Sequence, residues 1–176
     1  MSALTFLNDT LFTAQFVAMR GQLPLNRLPL TNPGATLQLP SDDSYQVIAT
    51  MPDGGNTYES SPVTINGPTA FLAQITDNVE KRTFDLEIKV DKNTSAEMVF
   101  QSTAINPVTF DISKHGKLLK RVVVQNSFAV ETLTLGNDYT IYAVINGITT
   151  SSVRTSDPNA VVRALADDGH FTLSVS

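Results

Sequence analysis

The chain has 176 residues, 12 basic and 17 acidic, a formal net charge of -5, no cysteine, no tryptophan and 2 histidines. It is 41% hydrophobic and 16% charged, which is too apolar and too weakly charged for a disordered tail, and it has no run of about 20 apolar residues to cross a bilayer as a helix. Without cysteine there is no disulfide framework, thiolate catalyst or sulfur-ligated zinc, and the acidic balance argues against nucleic acid as a partner.

The N-terminus, Met1 to Asp9, has no basic segment, and its short apolar run is interrupted by Asn8 and Asp9. The expectation is a chain made and folded in the cytoplasm without a signal peptide. The sequons at Asn8-Asp9-Thr10 and Asn93-Thr94-Ser95 then carry no weight.

From there the chain reads as strands. Phe12, Ala14, Phe16 and Ala18 fall on one face of an extended segment. So do Phe84, Leu86, Ile88 and Val90, then Tyr139, Ile141, Ala143 and Ile145, and finally Phe171, Leu173 and Val175. A period of two predicts strands with one buried face. Asp53-Gly54-Gly55, Asn146-Gly147 and Asp168-Gly169 supply the positive φ angles of tight hairpins. The only helical candidate, 160–165, is short and reads equally as a strand. The predicted class is all-β, a sandwich or barrel.

The two halves resemble each other. Residues 36–49 and 132–143 share Thr-Leu-x-Leu, an acidic turn, a tyrosine, a β-branched residue and an alanine. Phe6 and Phe16 match Phe100 and Phe110 at a separation of 94. Arg20-Gly21 falls opposite His115-Gly116 within one residue, and Phe84 aligns with Phe171. The repeat predicts two tandem immunoglobulin-like β-sandwich modules, 1–91 and 92–176, joined near Asp91-Lys92-Asn93-Thr94. One larger sandwich or jelly roll is the competing architecture.

Chemistry-bearing residues are sparse. His115 sits in a predicted turn and His170 follows Asp168-Gly169; neither has the neighbours of a nucleophilic triad, and two separate histidines do not make a zinc site. Asp42-Asp43, Asp138 and Asp167-Asp168 suit turns and caps better than calcium, for want of an Asp-x-Asp-x-Asp-Gly loop. No catalytic residue, cofactor or metal is expected. Tyr45 and Tyr139 are aligned repeat positions, which leaves Tyr58 and Tyr142 as candidates for stacking on a sugar.

Two stretches suggest interaction. Leu23, Leu25, Leu28 and Leu30 lie in a proline-punctuated segment that reads as an edge or surface strand with surplus apolar area. Lys114, Lys117, Lys120 and Arg121 cluster round a hairpin. Residues 1–91 carry a net charge of -5 and residues 92–176 a net of zero, so the basic hairpin could orient the chain against an acidic neighbour.

The paired Thr-Leu-x-Leu-turn-Tyr-x-(Val/Ile)-x-Ala segments resemble the strand pair of immunoglobulin-like modules. A cysteine-free, acidic, Thr/Asn/Val-rich tandem of this kind is similar to virion proteins of tailed phages, such as capsid decoration proteins, head fibres and tail accessory proteins. The resemblance implies a non-enzymatic structural or interaction protein of a larger assembly. Its partners would be itself or capsid and tail proteins, in an oligomeric or particle-bound state, with no nucleic acid and no membrane. The alternative is a module binding a glycan or small ligand through loops 41–44, 53–57 and 136–138.

Overall fold

The computed structural model describes residues 2–41, 44–92 and 97–176, with the side chains of Asn26 and Arg27 left aside. Asp42, Asp43, Asn93 and Thr94, named above as a candidate acidic pair and as part of a linker and sequon, lie outside the described residues. The protein is all-β. Its strands in chain order are β1 (Ala3–Asn8), β2 (Ala14–Arg20), β3 (Leu23–Arg27), β4 (Thr36–Pro40), β5 (Tyr45–Asp53), β6 (Asn56–Glu59), β7 (Val63–Ile65), β8 (Thr69–Asn78) and β9 (Thr83–Lys92). The second half continues with β10 (Glu97–Ser102), β11 (Val108–Lys114), β12 (Lys117–Val124), β13 (Glu131–Thr134), β14 (Tyr139–Ile145), β15 (Ile148–Thr149), β16 (Val153–Thr155), β17 (Val161–Asp167) and β18 (His170–Val175). The stretch 160–165 is strand.

The strands form two compact units, and these are not the halves of the chain. Unit 1 is Met1–Asp42 with Gly136–Ser176; unit 2 is the continuous segment Asp43–Leu135. This corrects the expected modules 1–91 and 92–176. Unit 1 contains the sheets β18-β17-β1-β4 and β15-β14-β2-β3, with β16 also on β14. Unit 2 contains β13-β10-β8-β9 and β12-β11-β5-β6, with β7 also on β5.

The repeat itself is present in the strand pairing. In unit 1, Phe16 pairs with Ala143 and Ala18 with Ile141. In unit 2, Phe110 pairs with Ala49 and Ile112 with Val47. Each of these four residues of unit 1 differs by 94 from its counterpart in unit 2. The parallel contacts also correspond, β1 on β17 and β10 on β8. The β2–β3 and β11–β12 hairpins share even their irregularity, between Ala18 and Met19 in one and between Ile112 and Ser113 in the other. The first two strands of each half, β1 and β2 or β10 and β11, therefore pair with later strands of the other half. Sequence similarity reports which strands are equivalent, but not which copy of a partner each one pairs with. The choice of partner lies in the connections.

Local chemistry fits these elements. β2, β11 and β14 alternate strictly between buried and half-buried residues, the pattern of a strand with one face in a core. The hairpin turns at Asn146-Gly147 and His115-Gly116 have positive φ at both residues (50° and 75°, 50° and 77°), the primed turn that matches strand twist. The unit 1 core draws on both its sheets: Phe6 and Val162 from one, Phe16, Ile141 and Ala143 from the other. The rings of Phe6 and Phe16 stand 5.1 Å apart, and those of Phe100 and Phe110 in unit 2 stand 5.2 Å apart. The same inter-sheet contact is built twice.

Candidate interaction surface

Unit 2 has two unlike flanks. One is formed by β6 and β9, the last strands of its two sheets on that side, and the other by β12 and β13. Between β6 and β9 runs an open groove of about 610 Å³, lined among others by Tyr58, Glu59, Lys81, Phe84, Asp85 and Glu87. Three carboxylates thus face one ammonium. A smaller hollow of about 210 Å³ adjoins it, sharing Tyr58 and Phe84 and adding Met51, Asp53 and Ile75.

The groove exists because the β8–β9 hairpin is longer than its counterpart. Ten residues separate the cross-strand pair Ile75 and Leu86, whereas four separate the equivalent pair Ala166 and Phe171 of β17–β18. The structural match of Phe171 is therefore Leu86, which corrects the alignment of Phe171 with Phe84. Leu86 is buried, and Phe84 lies in the extension and is 59% exposed. Val79, at the hairpin tip, is exposed too. In unit 1, Phe171 packs against the core and meets Phe12 edge-on at 5.7 Å. The repeat position of Phe12 in unit 2 is Asn106, whose amide instead donates to the Asp53 carboxylate at 3.2 Å.

The opposite flank carries Lys117, Leu118, Lys120, Arg121, Phe128 and Val130, all exposed. Phe128 is 94% exposed in a turn held by Asn126, whose side-chain oxygen accepts from the Phe128 and Ala129 amides. The same turn in the first half is Asn32-Pro33-Gly34-Ala35, so Phe128 stands where the repeat has Gly34.

The expected site residues separate sharply. Leu23, Leu25 and Leu28 are buried, and Leu30 alone is surface, at 68% exposure. β3 is an edge strand, as Pro24 implies, but the surplus apolar surface expected at 23–30 reduces to Leu30, because the other three leucines enter the core. Lys114 is buried as well, its ammonium 5.2 Å from the centre of the Tyr45 ring. Arg20, its repeat counterpart, is also buried and donates to the Gly136 carbonyl at 2.8 Å. Lys117 and Lys120 are exposed. Arg121 forms a two-pronged pair with Asp111 at 2.7 and 3.1 Å, and the bond to Asp111, then its charge, raises the guanidinium above its ordinary value. The two stretches singled out in the sequence are one hairpin seen twice: Leu23 matches Lys117 in the ladders.

His115 occupies the left-handed turn of that hairpin and His170 opens β18 on the surface. Among the described residues no three His, Asp or Glu side chains are grouped to hold a metal ion. Asn8, the first sequon residue, is buried, donating to the Phe12 and Thr31 carbonyls at 2.8 Å. Sequence reading did not single out Phe84 or Phe128 as surface residues. Alternation placed Phe84 on a core face; the extra hairpin length and the Gly34–Phe128 mismatch were the available signals. Comparison with known proteins finds no matching family model, no matching curated protein and no matching solved structure.

Proposed function

We propose that the protein is a non-enzymatic structural component that works attached to a larger protein assembly, of the kind found in phage virions. The observation that carries this reading is a divergence between the two copies of the repeat. Unit 2 exposes Phe84, in a hairpin extension that unit 1 lacks, and Phe128, where unit 1 has a glycine. Exposed aromatic rings cost solvation unless a partner covers them, and aromatic anchors dominate protein interfaces. The virion setting rests on the resemblance in sequence texture described above.

The test is fractionation of the native source. The chain should sediment with a particle much larger than itself. Phe84→Ser combined with Phe128→Ser should release it while circular dichroism stays that of the parent. A chain that sediments alone at native abundance overturns the reading. A second reading, saccharide binding, is favoured by Tyr58 and Phe84 sharing a groove with Glu59, Asp85 and Glu87. Rings that stack and carboxylates that accept hydroxyl hydrogens are the chemistry a sugar needs.

A further inference from the structure

We infer that the partner of the β6–β9 groove is the β12 flank of a second copy of this chain, so that unit 2 docks head to tail. This rests on the interaction-protein reading and names its partner.

The argument is the placement of charge. The groove carboxylates Glu59, Asp85 and Glu87 lie in the first half of the sequence and the basic hairpin at 114–121 in the second, but both belong to unit 2. They occupy opposite ends of its strand order: β9 with β6 at one end, β12 with β13 at the other. The groove is lined by Glu59, Asp85 and Glu87 against the single Lys81, together with Phe84. The β12 flank presents Lys117 and Lys120, opposite Lys114 and Ile112 in the ladder, and the exposed Leu118, opposite Ser113, on the other face of the same strand. Each flank thus combines an exposed apolar side chain with a surplus of one charge, and the two surpluses are opposite, which is the complement an interface needs for register. The two faces point away from each other across the unit, so they cannot satisfy one another within one copy. A face that fits a different face on its neighbour makes a heterologous contact, which closes into a ring or extends as a filament.

β9 also needs such cover. It is a ten-residue edge strand with Phe84 and Val90 exposed. Long edges are templates for pairing unless charge or a neighbour blocks them. The four-residue β6 covers only part of that flank.

The test uses the intact chain in sedimentation velocity at low and high salt. The parent should self-associate at about 0.05 M salt and weaken by tenfold or more near 1 M, where the screening length falls to ~3 Å. Lys117→Glu with Lys120→Glu should abolish association at low salt, and so should Glu59→Lys with Glu87→Lys. Mixing the two variants should restore it, because each then offers the charge the other lacks. Leu118→Ser should weaken association at every salt concentration. Circular dichroism checks that all variants fold. A parent that stays monomeric to about 0.5 mM, or variants that fail to rescue each other, overturns self-docking. If such a monomer still sediments with its native particle, the interaction-protein reading survives and only this partner is wrong. If instead linear glucose or galactose oligosaccharides shift the NMR signals of Tyr58 and Phe84 in a monomeric chain, the groove is a sugar site and self-docking falls.

Discussion

Phe16 lies directly opposite Ala143 on the β2–β14 ladder, and Phe110 lies opposite Ala49 in the same way. The small residue leaves room for the ring, and both rings are fully buried. Behind each alanine a hydroxyl accepts its amide: Thr150 for Ala143 at 3.0 Å and Ser60 for Ala49 at 2.9 Å. Phe16→Ala and Phe110→Ala should each cost about 3–5 kcal/mol, and Ala143→Leu about 1–3 kcal/mol through overpacking. Urea denaturation measures both; a loss below about 1 kcal/mol for either phenylalanine would contradict this packing.

Unit 2 is continuous and its strands pair among themselves. A chain of residues 43–135 should therefore fold on its own, whereas 1–91 and 92–176 expressed separately should not. Each of those fragments lacks the strands its β2 or β11 must pair with. In unit 1 the Tyr139 hydroxyl donates to the Ser41 carbonyl at 3.3 Å, so residues 1–42 joined to 136–176 by a short linker should also fold. Amide dispersion in proton–nitrogen NMR spectra decides each case. Well-dispersed spectra from 1–91 would refute the exchanged pairing.

Asn8 is a buried polar centre. Its amide donates to two carbonyls, and its oxygen accepts from the Thr10 amide and hydroxyl at 3.1 and 2.7 Å. Its counterpart Ser102 accepts only the Ala104 amide, at 2.9 Å, among the described bonds. Asn8→Ala removes both donations and both acceptances of this buried side chain and should cost about 2–3 kcal/mol; Ser102→Ala should cost about 1 kcal/mol. Equal losses in thermal or chemical melts would show that the two loops are held alike.

The leucines of 23–30 should divide by burial. Leu25→Ser should destabilise unit 1 by about 2–5 kcal/mol, because it opens a cavity and buries a hydroxyl. Leu30→Ser should change stability by less than about 0.5 kcal/mol. A melt in which both behave alike would place the segment on the surface after all. The pair Arg121–Asp111 lies on the surface, so Arg121→Ala should leave the denaturation midpoint nearly unchanged, as with most surface ion pairs.

The sequence by itself determined the all-β class, the strands and the equivalences between them. Strand alternation depends on local side-chain polarity, and the 94-residue spacing of Phe6, Phe16 and Ala49 to their counterparts is preserved in the ladders. Turn residues such as Asn146-Gly147 announced their hairpins because positive φ is a property of the residue itself. Only the tertiary structure decided which copy of each strand pairs with which. Backbone hydrogen bonds are the same for either copy, so no local pattern distinguishes an exchanged pairing from a tandem one. Burial at β3 was decided the same way: Leu23 and Lys117 hold equivalent positions, one in a core and one in water. Phe84 alternates like a core residue, yet it lies in the extended part of the β8–β9 hairpin and borders an open groove instead of a filled core. Exposure depends on what stands across the gap, and that is set by distant segments rather than by the residue's own neighbours in sequence.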